Sequence, residues 1–193
     1  MNATAVPTQE TIDQFVGNAH GNLVVVKELL EKYPSIVSAN ASWTETAIEA
    51  AAQTGMVEIV KYLIDHGADY DICTAAMLGS LNCLEEFLKE DPNLVNARGA
   101  HGLPILYFPV IRANVDVAEY LLQHGADPNT ASPGGITPLH GAVIFNQPKM
   151  ALWLLDHGVD PNQKYDGKTP LALALEKKQT ELVDILCSHS GSE

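Results

Sequence analysis

The sequence predicts an all-α solenoid of stacked helix-turn-helix pairs, and three observations lead to it. First, YLLQHGADPN at residues 120–129 is nearly rewritten as YLIDHGADYD at 62–71 and WLLDHGVDPN at 153–162. A catalytic constellation needs to exist once, whereas a phrase written three times is architecture. Second, six apolar runs, LVVVKELL, MVEIVKYLI, SLNCLEEFL, VDVAEYLL, PKMALWLL and TELVDIL, space their apolar residues over one side of a helix. Third, the residues that precede these runs and end a first helix are Gly21, Gly55, Gly79, Ala113, Asn146 and Lys178, at spacings of 34, 24, 34, 33 and 32. Six helix pairs follow from these anchors.

Each pair has its own start or stop signals. In the first and third, YPSIVSAN (33–40) and DPNLVNAR (91–98) follow the second helix. Pro34 and Pro92 stop it, and Ile36–Val37 and Leu94–Val95 tuck back under it. In the second, fourth and fifth, Gly67, Gly125 and Gly158 stand where a left-handed residue stops a helix. His66, His124 and His157 precede them, placed so that an imidazole meets the last carbonyls, and Asp and Asn then begin a turn. The first helices of pairs five and six start at TPLH (137–140) and TPLA (169–172), with Thr as N-cap and Pro where its missing N–H costs nothing. Pair four reads PILYFPV (104–110) instead, so Pro109 predicts a helix that is kinked or starts late.

TPLHGAV, the HGADPN phrases and the period together resemble the ankyrin repeat over roughly residues 11–190. The resemblance implies antiparallel helix pairs linked by short β-hairpin fingers, in a single domain with repeats at about 5–40, 41–70, 71–98, 99–130, 131–163 and 164–193. It also implies a protein partner held on the concave face of fingers and inner helices. The first and last repeats are expected to cap the stack, with polar Asp13, Gln14 and Asn18 in one and Glu176, Lys177, Lys178 and Gln179 in the other. Only GADYDI separates the second pair from the third, so about nine residues of finger are missing there and a notch is expected.

The chain of 193 residues is 46% hydrophobic and 18% charged, a globular composition. A formal charge of −13 without a Lys/Arg cluster argues against nucleic acid and against an anionic membrane surface. The acidic excess reads as a solvated exterior, with a basic partner as the alternative. The start, MNATAVPTQETIDQF, lacks the basic end and apolar run of a signal peptide, and no apolar segment is long enough to span a membrane. Cys73, Cys83 and Cys187 read as reduced core or near-core thiols, which points to a cytoplasmic protein.

Neither a G-x-S-x-G elbow nor a phosphate loop occurs, and SPGGIT (132–137) is a finger tip. The rival to a binding role is an accessory or metal-dependent hydrolytic enzyme using the His-x-x-Asp turns, His124 with Asp127 and His157 with Asp160. Equivalent residues of adjacent repeats lie about 10 Å apart, too far to share a zinc ion whose ligands lie about 2 Å from it. No cofactor, metal or catalytic residue is therefore assigned. His140 is read as a helix-start histidine bonding backbone or Thr hydroxyls.

In the ankyrin register the two residues before each anchor point to the concave face: Ala19–His20, Gln53–Thr54, Met77–Leu78, Ile111–Arg112, Ile144–Phe145 and Glu176–Lys177. The middle three pairs hold five apolar side chains out of six, which marks a binding patch. Its expected centre is Phe145, Ile144, Ile111, Met77 and Leu78, with Arg112 as a charged anchor; burial between helices is the alternative for Met77, Leu78 and Ile111. Trp43, His101, Leu103 and Tyr165 extend it along the fingers. The expected function is a non-enzymatic module that scaffolds or modulates a partner protein. A monomer or a weak homodimer closed through the patch is the expected oligomeric state.

Overall fold

A computed structural model describes residues 6–189; residue 5, assigned to the first repeat, and residues 190–193, assigned to the last, lie outside the described residues. Among the described residues twelve α-helices form six pairs: α1 (Gln9–Asn18) with α2 (Leu23–Lys32), α3 (Ala47–Gln53) with α4 (Val57–Asp65), α5 (Ile72–Leu78) with α6 (Leu81–Glu90), α7 (Tyr107–Ile111) with α8 (Val115–Gln123), α9 (Pro138–Ile144) with α10 (Pro148–Asp156), and α11 (Pro170–Glu176) with α12 (Thr180–His189). The odd-numbered inner helices pack one on the next from α1 to α11. One apolar core runs the length of the stack, from Phe15 to Leu186.

The anchors work as reversals. Gly55, Gly79, Ala113, Asn146 and Lys178 have φ of 74°, 82°, 53°, 53° and 57°, the left-handed conformation that ends a helix and turns the chain into the next. The outer helices α4, α8 and α10 end on Gly67, Gly125 and Gly158, also left-handed. There the imidazole Nδ1 of His66, His124 and His157 donates at 2.7 Å to the carbonyl four residues back. Each imidazole also lies on the ring of that residue, Tyr62, Tyr120 or Trp153, at centroid distances of 4.0–4.1 Å. The two Pro-containing turns wind into short 3₁₀ segments, Pro34–Ile36 and Pro92–Asn96, that bury Ile36 and Val95.

Pro109 has the expected effect. Helix α7 begins two residues later than α9 does in the matching register, and its approach is wound tighter: Tyr107 N–H donates to Pro104 O at 2.9 Å and Phe108 N–H to Ile105 O at 3.2 Å. Pro109 has no N–H to offer Ile105, so Phe108 supplies the bond one residue early. The fingers shrink to single antiparallel bridges, Asn40↔Thr46, Arg98↔Pro104 and Tyr165↔Lys168. Before α5 only a short link precedes Ile72, and Asp71 caps the helix by accepting Thr74 N–H at 2.8 Å.

Three side chains differ from expectation. Cys187 is exposed on α12, because the neighbouring Leu186 takes the face turned to the core. Asp13 is half-buried and faces the second repeat, accepting Ser42 N–H at 2.7 Å. Hydrogen bonds from Gln9 and Ser42 hold its carboxyl below the usual carboxylate range. Gln179 is likewise half-buried, its amide donating to Val143 O at 2.9 Å in the preceding repeat.

Candidate protein-binding face

The structure narrows the expected patch. The second residue of each pair before an anchor stays accessible: His20, Thr54, Leu78 and Phe145 are half-buried, and Arg112 and Lys177 are exposed. The first residue varies: Ala19, Met77 and Ile111 are buried, Gln53 and Ile144 half-buried and Glu176 exposed. Met77 is 0% and Ile111 6% exposed, so both belong to the core between helices, and their expected exposure is corrected. The helix turns about 100° per residue, so the side chains of Met77 and Ile111 turn from the accessible side towards the neighbouring helices. Ile111 Cγ2 would meet a Cβ placed on Gly55 at 2.5 Å, so this side chain reaches back to repeat two. Ile144 is half-buried. Leu103, 5% exposed, is also corrected from finger surface to core. Trp43 and His101 are exposed, and Tyr165 is half-buried with its ring edge-on to His140 at 6.0 Å.

The accessible residues are held in place across repeats. Arg112 donates through Nη1 to Leu78 O at 3.3 Å, linking repeats four and three. The Phe145 ring meets Tyr107 edge-on at 5.9 Å. Burial, with Tyr165 nearby, pushes the Tyr107 hydroxyl up to about 12. Gln147 donates to Ile111 O at 3.1 Å, and Gln179, at the same place one repeat later, donates to Val143 O, one residue earlier in its helix.

A cluster that sequence reasoning did not find lies beside Trp43. Glu45 is only 4% exposed, yet its carboxylate is satisfied. Trp43 Nε1 donates to Oε2 at 2.8 Å and Gln53 Nε2 donates to Oε1 at 2.5 Å. His101 Nε2 lies at 3.5 Å and His20 Nε2 at 3.8 Å. These groups come from repeats one, two and four. Without a finger between them, the finger at 40–46 and the finger at 98–104 meet across the expected notch through Glu45 and His101. Nothing in the sequence pairs position 45 with position 101; only the acid two residues after a finger Trp hinted at a polar role.

Residues 45–75 match the sequence model of the ankyrin repeat, and residues 72–165 and 131–193 match that of ankyrin repeats in three copies. The chain belongs to the ankyrin-repeat family. An ankyrin repeat protein of Fowlpox virus (strain NVSL) is 30% identical over 156 residues, 72% of this chain and 46% of that protein. Cyclin-dependent kinase 4 inhibitor B of Rattus norvegicus is 35% identical over 83 residues, 42% of this chain and 61% of the relative. A palmitoyltransferase of Lachancea kluyveri is 27% identical over 174 residues, 83% of this chain but 24% of the enzyme. The chain thus spans less than two thirds of the length of these relatives.

Within the ankyrin repeats, the polar residues weighed for chemistry are engaged in structure. Thr137 accepts His140 N–H at 3.3 Å while His140 Nδ1 lies 2.8 Å from Thr137 Oγ1 and 3.3 Å from Thr137 N, a reciprocal cap. Its Nε2 meets Lys168 O at 3.2 Å, and burial holds the imidazole below its ordinary value. Asp127 and Asp160 each accept the N–H two residues on, in turns that start the next finger. Among the described residues no group of three or more His, Cys, Asp or Glu is placed to hold a metal. Among the same residues no helix is long and apolar enough to cross a membrane.

Proposed function

We propose that this chain is a protein-binding module that scaffolds or modulates a partner held on its concave face. The observation that carries this reading is the column of equivalent positions Leu78, Arg112 and Phe145 on three consecutive repeats, which sets a solvent-exposed guanidinium between two half-buried apolar side chains. Side chains of this kind, aromatic and Arg, carry most of the energy at protein interfaces. Trp43, His101 and Tyr165 continue the surface along the fingers. The relative from rat is by its name an inhibitor of a kinase, which supports occupation of a partner, without catalysis, as the mode of action. The likeness to the palmitoyltransferase is confined to a quarter of that enzyme, and the engaged His and Asp side chains offer no catalytic set. We place the activity in the cytoplasm, where the three unpaired cysteines are compatible with a reducing compartment.

The test is affinity capture from the native lysate with wild type beside a Phe145→Glu, Arg112→Glu double variant, both shown folded by circular dichroism. A partner retained by wild type and lost by the variant is expected. Retention by both overturns this face as the site. A shift of wild type, and not the variant, to a dimer in sedimentation would assign the face to a second copy.

A further inference from the structure

Charge is unevenly divided along the stack outside its outer helices. Outside the outer helices, residues 6–80 carry the carboxylates Glu10, Asp13, Glu45, Glu49, Asp69 and Asp71 and no Lys or Arg. Outside the outer helices, residues 91–179 carry Arg98, Arg112, Lys164, Lys168, Lys177 and Lys178, all exposed. Five carboxylates lie there as well, and each keeps its charge. Asp91, Asp127 and Asp160 accept backbone N–H groups just after the outer helices, and Glu176 is paired with Lys168 of the last finger. Asp166 remains, at the tip of that finger. Outside the outer helices, the second half of a chain with a formal charge of −13 therefore presents a face of six cations against five carboxylates, where the first half presents carboxylates alone.

The accessible column crosses that face as Arg112, Phe145 and Lys177, one per repeat. Among the described residues neither cation makes an ion pair, and Arg112 uses only Nη1, on Leu78 O, of its five donor N–H groups. Phe145 and the neighbouring Ile144 lie between them, half-buried. Equivalent positions of packed helices are about 10 Å apart, and an extended chain in the polyproline II conformation advances about 3.1 Å per residue and returns to the same face every three residues. A carboxylate about three residues either side of a large apolar residue would meet both cations while the apolar residue covers Phe145.

We propose that the segment docking on repeats four to six is acidic and extended, with a central apolar anchor seated on Phe145 and Ile144 and flanking carboxylates at Arg112 and Lys177. This rests on the concave-face reading above and gives the partner its chemistry. It reverses what the net charge alone implies, which is a basic partner.

The test is a displayed random-peptide library panned against the immobilised full chain at low salt. Enriched peptides are expected to carry Asp or Glu about three residues from a large apolar residue. Raised salt is expected to release them, because these pairs are solvent-exposed. Retention should fall about tenfold or more in Arg112→Glu, and also in Lys177→Glu, whose side chain is exposed and makes no structural bond among those described. Enrichment of basic or neutral peptides, indifference of acidic ones to both variants, or no enrichment overturns the proposal. Basic peptides that are lost on Phe145→Glu would leave the concave binding face standing and remove only the acidic partner.

Discussion

Repeats four and five occupy neighbouring places in the stack and begin their inner helices by different means. In repeat five, Thr137 and His140 form a reciprocal cap, Pro138 opens the helix, and α9 runs for seven residues. In repeat four no side chain caps α7, a proline sits inside it, and only five residues are helical. Yet all five of those residues are buried, and α7 packs on both α5 and α9 as its neighbours do. Local signals place a helix start, but the repeat is held by the apolar surface shared with the next repeat. Where neighbours supply enough of that surface, a poor start is tolerated.

If shared apolar surface holds both repeats, removing matched core leucines should damage them alike and more than any other change. Leu106 in repeat four and Leu139 in repeat five are 1% and 0% exposed. Leu106→Ala and Leu139→Ala are each expected to destabilise by about 2–5 kcal/mol in urea unfolding, because each leaves a cavity. A Leu106→Ala loss under about 1 kcal/mol would mean that repeat four is loosely held, contrary to its burial.

Next is the contact that closes the gap between repeats two and four. Glu45→Ala leaves the donors of Trp43 and Gln53 without their acceptor and is expected to cost about 1–3 kcal/mol. His101→Ala, at an exposed partner, is expected to cost less than about 1 kcal/mol. Equal losses would show that the finger-to-finger contact, and not the internal hydrogen bonds of repeat two, is what Glu45 serves.

A pH profile separates the caps of the inner helices, because repeat six has Ala172 where repeat five has His140. The folded pKa of His140 is depressed by burial, so its contribution is fully present above the unfolded value of about 6.5. As pH falls through that value the unfolded chain takes up a proton that the folded one refuses, and stability drops until the lower folded value is passed. His140→Ala is expected to lose about 1 kcal/mol at neutral pH with the cap, and to fall less steeply between about pH 7 and 5. An unchanged slope in the variant would show that His140 protonates freely in the fold.

The smallest effect is chemical. Cys73 is buried, and desolvation, with Asp71 and Glu49 nearby, raises its thiol well above the ordinary value, whereas Cys187 is exposed. A thiol reagent should label Cys187 at once and Cys73 only on unfolding; rapid labelling of Cys73 would show that α5 opens while the rest of the stack is folded.

The caps, the stops and the period were legible because each is written within a few residues of the place where it acts. TPLH gives the N-cap, HG gives the left-handed stop, and Pro109 gives the late start of α7. The candidate face was legible in part. Position before the anchor placed Leu78, Arg112 and Phe145 among accessible residues, but Met77, Ile111 and Leu103 are as apolar as Leu78 and Phe145 and lie in the core. Apolar character does not separate an exposed position from one that the next repeat covers; the packing of the neighbouring repeat does.

The family, the six helix pairs, the turn types and the absence of a full finger before α5 could all be read along the chain, because each is a consequence of short-range backbone chemistry. The stacking of the repeats settled how the missing finger is accommodated, that Glu45 and His101 meet, and that Arg112, Phe145 and Lys177 stand at equivalent places on three successive repeats. Those facts depend on how successive repeats pack as rigid units, and packing brings together residues such as 45 and 101 whose local sequences carry no sign of each other.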